Sequence, residues 1–440
     1  MSIRRIGLGA SLMLSTTLAL VAPLAGQVNS TSSPRGLGMG GAYGAVARGV
    51  SAGPLNPAML GLPDNPGFSL ALPAVAADAG SEPISWRDVT AYDGKLIPDQ
   101  VKRGWLDRIP SGGNLSLAAG VAVQPIGISI GRIALHVSGI AGGNARLPRD
   151  AVALLLFGNA DSADQGGTYS LDNGKATGFA ATSAGLSAGW QVAHLAGGSL
   201  TLGATGKVVF GLGFVGLRGS TGSVSATPIA GDIRFPTVTV SNDSRPLDDR
   251  GYGFDLGIAW QSSRLTLGLA VSDVVNSFRW NTNDARIRDG RVFFNADSTT
   301  SSFTDRHLND PALDTAVVRD ARSLLADARF RPTIRASAAL DLGGHLLLAA
   351  EGYHVTGGLM GPDLKSWSHG AVGAEWRWLG GLLPLRAGAG LASDGGFDWS
   401  VGTGLDFAPF NVNAAYGEMR PSAGGTVSRV SVGLGFGRGR

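Results

Sequence analysis

Hydrophobic and polar positions alternate along most of this chain. From Phe397 to Phe407 the odd positions are Phe397, Trp399, Val401, Thr403, Leu405 and Phe407. The even ones are Asp398, Ser400, Gly402, Gly404 and Asp406. A two-residue period puts one face of an extended strand against an apolar medium and the other against something polar or crowded. The pattern returns in Tyr252, Phe254, Leu256, Ile258 and Trp260, in Leu265, Leu267, Leu269 and Val271, and in Val430, Val432, Leu434 and Phe436. Fourteen such strands are predicted, over 66–77, 114–124, 127–141, 176–193, 199–217, 251–261, 263–281, 329–343, 345–355, 369–378, 382–391, 396–407, 409–418 and 427–436. Twelve and sixteen are the neighbouring even counts.

The connections discriminate better than the strands. Six are very short: Pro125 to Gly127, His194 to Gly198, Gln261 to Arg264, Leu342 to His345, Leu379 to Gly381 and Phe407 to Pro409. They alternate with longer loops near 78–113, 142–175, 218–250, 282–328, 356–368, 392–395 and 419–426. Tight turns at one rim and long loops at the other, with an even strand count, are the asymmetry of a transmembrane antiparallel β-barrel. Trp260, Trp376, Trp378, Phe407 and Phe436 lie near strand ends, where interfacial aromatic girdles sit. The fold class expected is all-β, a barrel of about fourteen strands with a few short loop helices.

Composition sharpens this picture. Of 440 residues, 68 are glycine and none is cysteine. Glycine at twice its ordinary usage suits inward positions of a barrel whose lumen is filled, where backbones pass closely. The lack of cysteine excludes a disulfide scaffold, thiol catalysis and cysteine-based metal centres. A net charge of +3 gives no basic footprint for nucleic acid. Arg4 and Arg5, an apolar run from Ile6 to Val21 and small residues to Gly26 have the layout of a secretory signal peptide. Residues 1–26 are therefore expected to be a cleaved leader, 27–65 a glycine-rich plug segment and 66–440 the barrel. Export of a barrel places it in the outer membrane of a Gram-negative-type bacterium, with outer-membrane lipids and the barrel-assembly machinery as partners. The last strand fits an assembly signal, although Phe436 is followed by Gly-Arg-Gly-Arg440 instead of ending the chain.

Ahead of the first strand stand Arg35-Gly-Leu-Gly-Met-Gly-Gly-Ala-Tyr43 and then Ser51-Ala-Gly-Pro-Leu-Asn-Pro-Ala58. Gly36, Gly38 and Gly41 match G-x-G-x-x-G, but no strand precedes them, so a dinucleotide site is not expected. The segment from Gly38 to Tyr43, with Ala45, Ala47, Ser51, Ala52 and Asn56-Pro57-Ala58, resembles the N-terminus of the FadL/TodX superfamily of outer-membrane channels. The two longest early loops look like those of an uncharacterised branch of it. This resemblance implies a hatch that plugs a fourteen-stranded barrel, with Gly38, Gly40, Gly41, Tyr43, Asn56 and Pro57 as its motif, and a kinked wall strand that opens a lateral exit. The same motif occurs in PorV-like barrels, which act as scaffolds or shuttles for secreted proteins.

Three loop segments, 101–109, 148–157 and 310–329, read as amphipathic helices. Their apolar stripes suit either capture of a hydrophobic ligand or mutual packing as a lid, and the lid is the commoner use of such stripes. Alternation turns Arg132, Lys207, Asp255, Arg335, Asp341, Glu375, Arg377, Arg386, Asp398 and Arg429 inward. Of these, Arg132, Lys207, Arg335, Glu375, Arg377, Arg386 and Arg429 are the candidate lumen-lining set, able to meet a carboxylate headgroup or to pair with one another between wall and hatch. Gly185-Leu-Ser-Ala-Gly189 mimics a nucleophile elbow but lies within an alternating strand. The six histidines show no metal-ligand spacing. No catalytic residue, metal or cofactor is expected.

Two functions remain. One is passive uptake of a small hydrophobic molecule, fatty-acid-like or hydrocarbon, by a hatch-gated lateral route. The alternative is a non-transporting, PorV-like scaffold for secreted or surface proteins. An apolar pocket bounded by the hatch would favour the first, a solidly filled lumen the second.

Overall fold

The computed structural model describes residues 33–437 apart from 159–166, 218, 227, 242–249, 344, 357–365 and 408. The expected leader, the start of the plug segment and the last three residues lie outside the described residues.

Among the described residues the strands are, in chain order, β1 (Phe68–Glu82), β2 (Asn114–Ile130), β3 (Ile133–Pro148), β4 (Thr168–Ser170), β5 (Lys175–Leu195) and β6 (Gly198–Leu217). There follow β7 (Thr221–Ala226), β8 (Ile229–Ser241), β9 (Arg250–Gln261), β10 (Leu265–Asn276), β11 (Ala285–Asn295), β12 (Thr299–His307) and β13 (Thr333–Asp341). The last are β14 (Leu346–Val355), β15 (Trp367–Trp378), β16 (Leu383–Ala392), β17 (Phe397–Phe407), β18 (Phe410–Arg420) and β19 (Thr426–Gly437). Fourteen of them form the barrel, all but β4, β7, β8, β11 and β12. Each pairs antiparallel with its neighbour, and β1 pairs with β19 to close the ring, so no edge remains in the wall.

The period-two pattern does what it predicts. Tyr252, Phe254, Leu256 and Ile258 point outward and are exposed, as are Val430, Val432 and Leu434. Exposed apolar side chains circle the barrel, with Trp190, Trp376, Trp378, Phe407 and Phe410 at the short-turn rim. An apolar belt with aromatic borders is what a strand-built membrane span requires. No helix among the described residues is long and apolar enough to cross a membrane.

Three details differ from the sequence reading. The expected turn at Pro125 to Gly127 is absent. β2 runs on to Ile130 and turns at Gly131-Arg132, while Pro125 is absorbed in a bulge where the register against β3 shifts between Val123 and Ile126. Proline has no N–H for the ladder, and a bulge tolerates that without ending the strand. The loops expected over 218–250 and 282–328 also contain β7, β8, β11 and β12. These pair in the order β7–β8–β11–β12 into a crown sheet continuous with the wall through β8 and β6. Finally, the strands expected over 263–281 and 329–343 are shorter, ending at Asn276 and starting at Thr333.

Five α-helices accompany the described strands: α1 (Pro34–Gly38), α2 (Trp86–Thr90), α3 (Asp99–Asp107), α4 (Arg149–Phe157) and α5 (Thr315–Asp327). Pro148 is the N-cap of α4. The apolar faces of the loop helices are occupied locally. Trp105 of α3 and Val152 of α4 pack with Ile84 and Ile109, and Leu324 and Leu325 of α5 pack with Phe214, Phe278 and Trp280. The stripes are the internal packing of a lid.

Candidate functional site

The plug segment lies inside the barrel. Residues 34–62 contain most of one buried core cluster, including Met39, Tyr43, Val46, Leu55, Met59 and Leu60. Short-range geometry makes this segment compact. Ser33 caps α1, whose first position is Pro34, and Asn56 caps a 3-10 turn that begins at Pro57. A side-chain acceptor before a proline start is an efficient way to begin a helical turn. Gly40 and Gly41 adopt left-handed φ angles of 70° and 94°, which allow the chain to reverse between these turns.

The wall carries an imprint of the hatch written in glycine. A side chain at Gly373 or Gly388 would overlap Met39 and Gly40, and Gly38 lies against Gly402. On the other side, a Cβ on Gly189, Gly203 or Gly257 would strike the backbone or side chains of Asn56, Pro57 and Ala58. The inward glycines are therefore the space that the hatch occupies, which accounts for much of the unusual composition.

Polar contacts seat the two halves of the hatch differently. The first half is held by charge. Arg35 donates from Nε and Nη2 to the two carboxylate oxygens of Glu375 at 2.7 and 2.8 Å, and Arg386 donates to the same carboxylate at 2.8 Å. Burial works against the Arg35 cation, but the Glu375 carboxylate outweighs it and holds its pKa raised. Glu351 accepts the backbone N–H groups of Tyr43, at 3.1 Å, and Gly44, and is paired with Arg335. The second half is held by neutral bonds. Asn56 donates to the Ile258 carbonyl at 3.2 Å, Thr201 donates to the Ala58 carbonyl at 2.9 Å, and Val50 N–H reaches Ser69 at 2.9 Å.

Of the residues singled out from sequence, Glu375, Arg377 and Arg386 meet in one cluster beside Arg35. Arg335 joins Glu351. Lys207 pairs with Asp255 and Asp273 at 2.8 and 2.9 Å, and Arg429 pairs with Asp398, which also meets His369. Arg132 is different: it is exposed in the β2–β3 turn and does not line the lumen, because the displaced turn changes its place. Two further residues escaped sequence reading. Glu351 follows the inward parity of β14 and was findable by that alone. Gln124 was hidden by the turn wrongly expected at its border.

Beside the hatch is a cavity of about 900 Å³ that reaches the short-turn rim near Arg264 and Leu379. Its lining is mixed, not the apolar pocket that would favour uptake outright, and includes Asp64, Asp341 and Asp406 as well as Val46, Leu70 and Phe436. Its far side is the β1–β2 seam, lined by Leu70, Ala71, Ala74 and Gln124. Here the β1–β2 ladder is interrupted, although both strands continue and keep one register. Ala71 pairs with Gly127 and Ala74 with Gln124, and in that register Pro73 stands opposite Pro125, with no pairing between 72–73 and 125–126. On its other side β1 also slips by one residue against β19 between Ala71 and Ala74. Two prolines face to face supply no donor to the ladder.

A family model described as a family of unknown function, DUF5723, matches residues 57–310. The chain belongs to the DUF5723 family. No curated protein matches its sequence. Among solved structures, a Pseudomonas aeruginosa FadL homologue is 13% identical with a TM-score of 0.50, the match covering 94% of the DUF5723 chain and 99% of the homologue. The CymD monoaromatic hydrocarbon channel is 14% identical at a TM-score of 0.49, covering 96% and 99% of the two chains. The P. putida toluene transporter TodX is 11% identical at 0.49, covering 92% and 97%. At such identities the likeness is one of fold, and the DUF5723 barrel has the FadL-like architecture that its hatch motif implied.

Proposed function

We propose that this DUF5723 protein is an outer-membrane channel for passive uptake of small hydrophobic molecules, gated by its hatch and opening sideways through the wall. The observation that carries this reading is the coincidence of three features: the hatch, a cavity beside it, and a proline-broken seam at the cavity's wall. With the long loops outside and the short turns on the periplasmic side, a molecule passing the lid would descend to the hatch and leave through the seam between β1 and β2. There it never enters water, so its apolar surface stays covered. The polar hatch contacts are hydrogen bonds and ion pairs that can break and reform, and no coupled energy source is required.

The chain has no cysteine, so one engineered disulfide is unambiguous. Val50 of the hatch packs directly on Gly127 of β2. In the double variant Val50→Cys, Gly127→Cys, oxidation is expected to stop uptake of radiolabelled dodecane and dodecanoate by cells whose outer membrane carries the barrel. Reduction should restore it. Equal uptake in the oxidised and reduced states would overturn hatch gating.

The scaffold reading draws support from a different feature. β12 pairs only with β11 among the described residues, and its whole length except Arg306 is exposed, leaving a strand edge that another protein's strand could extend. Mass spectrometry of what co-purifies in mild detergent separates the two: a stoichiometric hydrophobic molecule favours uptake, a defined protein partner the scaffold.

A further inference from the structure

Gln124 sits at the seam with no structural employment for its amide nitrogen. It is 9% exposed, lies in the β2 bulge next to Pro125 and faces the cavity. Its Nε2 is buried without a hydrogen-bond partner among the described residues. Leaving a buried donor unmet is costly to stability. The other polar groups nearby are already satisfied: the Ser69 hydroxyl lies 2.7 Å from that of Ser129 and accepts the Val50 N–H. Val50 closes over this corner of the wall, with its side chain against Gly127, whose Cβ position is also beside Gln124 Nε2. Lifting the hatch would therefore uncover the donor at the point where the wall opens.

We propose that Gln124 is a substrate-reading residue at the exit, donating to a neutral oxygen acceptor on a mostly apolar molecule, an alcohol, ether or carbonyl. This rests on the uptake reading above and adds the substrate class. The surroundings distinguish a neutral acceptor from an anion. Of the arginines lining the same cavity, Arg35, Arg377 and Arg386 are engaged by Glu375 and Arg48 by Asp64, while Arg264 stands in the β9–β10 turn at the rim, across the barrel from the seam. Ser69, Ala71 and Ala74 bring no charge to the seam, so a carboxylate there would be desolvated without a counterion, a costly arrangement. A pure hydrocarbon would pass but leave the amide unmet. A molecule with one acceptor satisfies it, and sites built to hydrogen-bond a substrate group discriminate strongly against analogues that lack it.

The test uses three probes with the same tail, radiolabelled dodecanol, dodecane and dodecanoate, and the full-length barrel in the outer membrane of cells. The wild-type protein should take up dodecanol fastest. Gln124→Leu, close in volume but without the donor, should lower dodecanol uptake about tenfold, to the level of dodecane, and leave dodecane unchanged. Gln124→Asn, which keeps an amide on a shorter arm, should recover part of the preference and guards against a folding defect in the leucine variant. Loss of all three probes in equal proportion, or of none, would overturn the assignment while leaving uptake intact. If the wild-type barrel admits none of the probes above cells without it, the uptake reading itself fails.

Discussion

Arg35 and Glu375 lie 340 residues apart and are joined by two hydrogen bonds, one to each carboxylate oxygen. Glu375 is 2% exposed and also holds Arg386 and Arg377, so a single buried carboxylate balances cations from the hatch and from two wall strands. Removing one member of such a group leaves uncompensated buried charge, typically worth about 3–5 kcal/mol. Glu375→Gln should therefore unseat the first half of the hatch while the barrel stays closed. A cysteine placed at Ala47, which is fully buried, should react with a soluble maleimide in Glu375→Gln and stay protected in the parent. Continued protection in the variant would show that packing alone seats this half.

The glycine imprint predicts a contrast between glycines. Gly203→Val and Gly388→Val would place side chains into the hatch backbone, whereas Gly370 faces outward and a Cβ there meets nothing within 4 Å. The two inward variants should fold as barrels, shown by heat-modifiable migration on gels, yet leave the Ala47 cysteine reactive. Gly370→Leu should leave both readouts unchanged. Because the inward substitutions act by exclusion, their effects should not depend on salt, while that of Glu375→Gln should respond to ionic strength once the cluster is wetted.

The barrel was legible because alternation is local: Tyr252 to Trp260 states which side faces lipid without reference to any other strand. The glycine content pointed to a filled lumen, and residues 34–62 do pack against inward glycines of the wall, but their pairing was not legible. Which inward charge meets which depends on register around a closed ring, so Arg386 beside Glu375 could be suspected and Arg35 beside it could not. Pro125 misled for a physical reason. Proline ends most central strands, and only the opposing Pro73 and the slipped neighbours show that this seam tolerates it. The crown strands were missed because segments such as Ala285 to Asn295 mix arginine into both faces, and so carry no clear alternation.

The lid offers a pH test outside the membrane. Partial burial works against the Asp88 carboxylate, but hydrogen bonds from Arg108 and from the Ser85 hydroxyl and backbone N–H prevail and hold its pKa below the usual carboxylate range. A depressed folded-state pKa gives stability that is present above the unfolded value and fades as pH falls through the folded one. The α2 turn should thus be unchanged from neutral pH down to about 4 and loosen only below it. Asp88→Asn should remove that acid transition. Protease nicking between Ser85 and Thr90, followed with an acid-tolerant enzyme, would check this, and an unshifted transition in Asp88→Asn would assign it elsewhere.

Asn56 tests what anchors the second half of the hatch. Its side chain does two jobs at once: Oδ1 accepts the Ala58 N–H at 3.1 Å as an N-cap, and Nδ2 donates to Ile258 of the wall at 3.2 Å. Loss of a cap costs about 1 kcal/mol, and a buried wall bond a similar amount. Asn56→Ala should lose both, and a cysteine at the fully buried Met59 should become reactive. Asn56→Ser separates the two roles, since serine caps as well as asparagine but has a shorter side chain than the amide that reaches Ile258. If Asn56→Ser stays protected, the local turn holds the hatch and the wall merely receives it. If it labels like Asn56→Ala, the bond to β9 is the anchor. Uptake should then rise in step with labelling across the series, because a hatch released at Asn56 no longer closes the cavity against the seam.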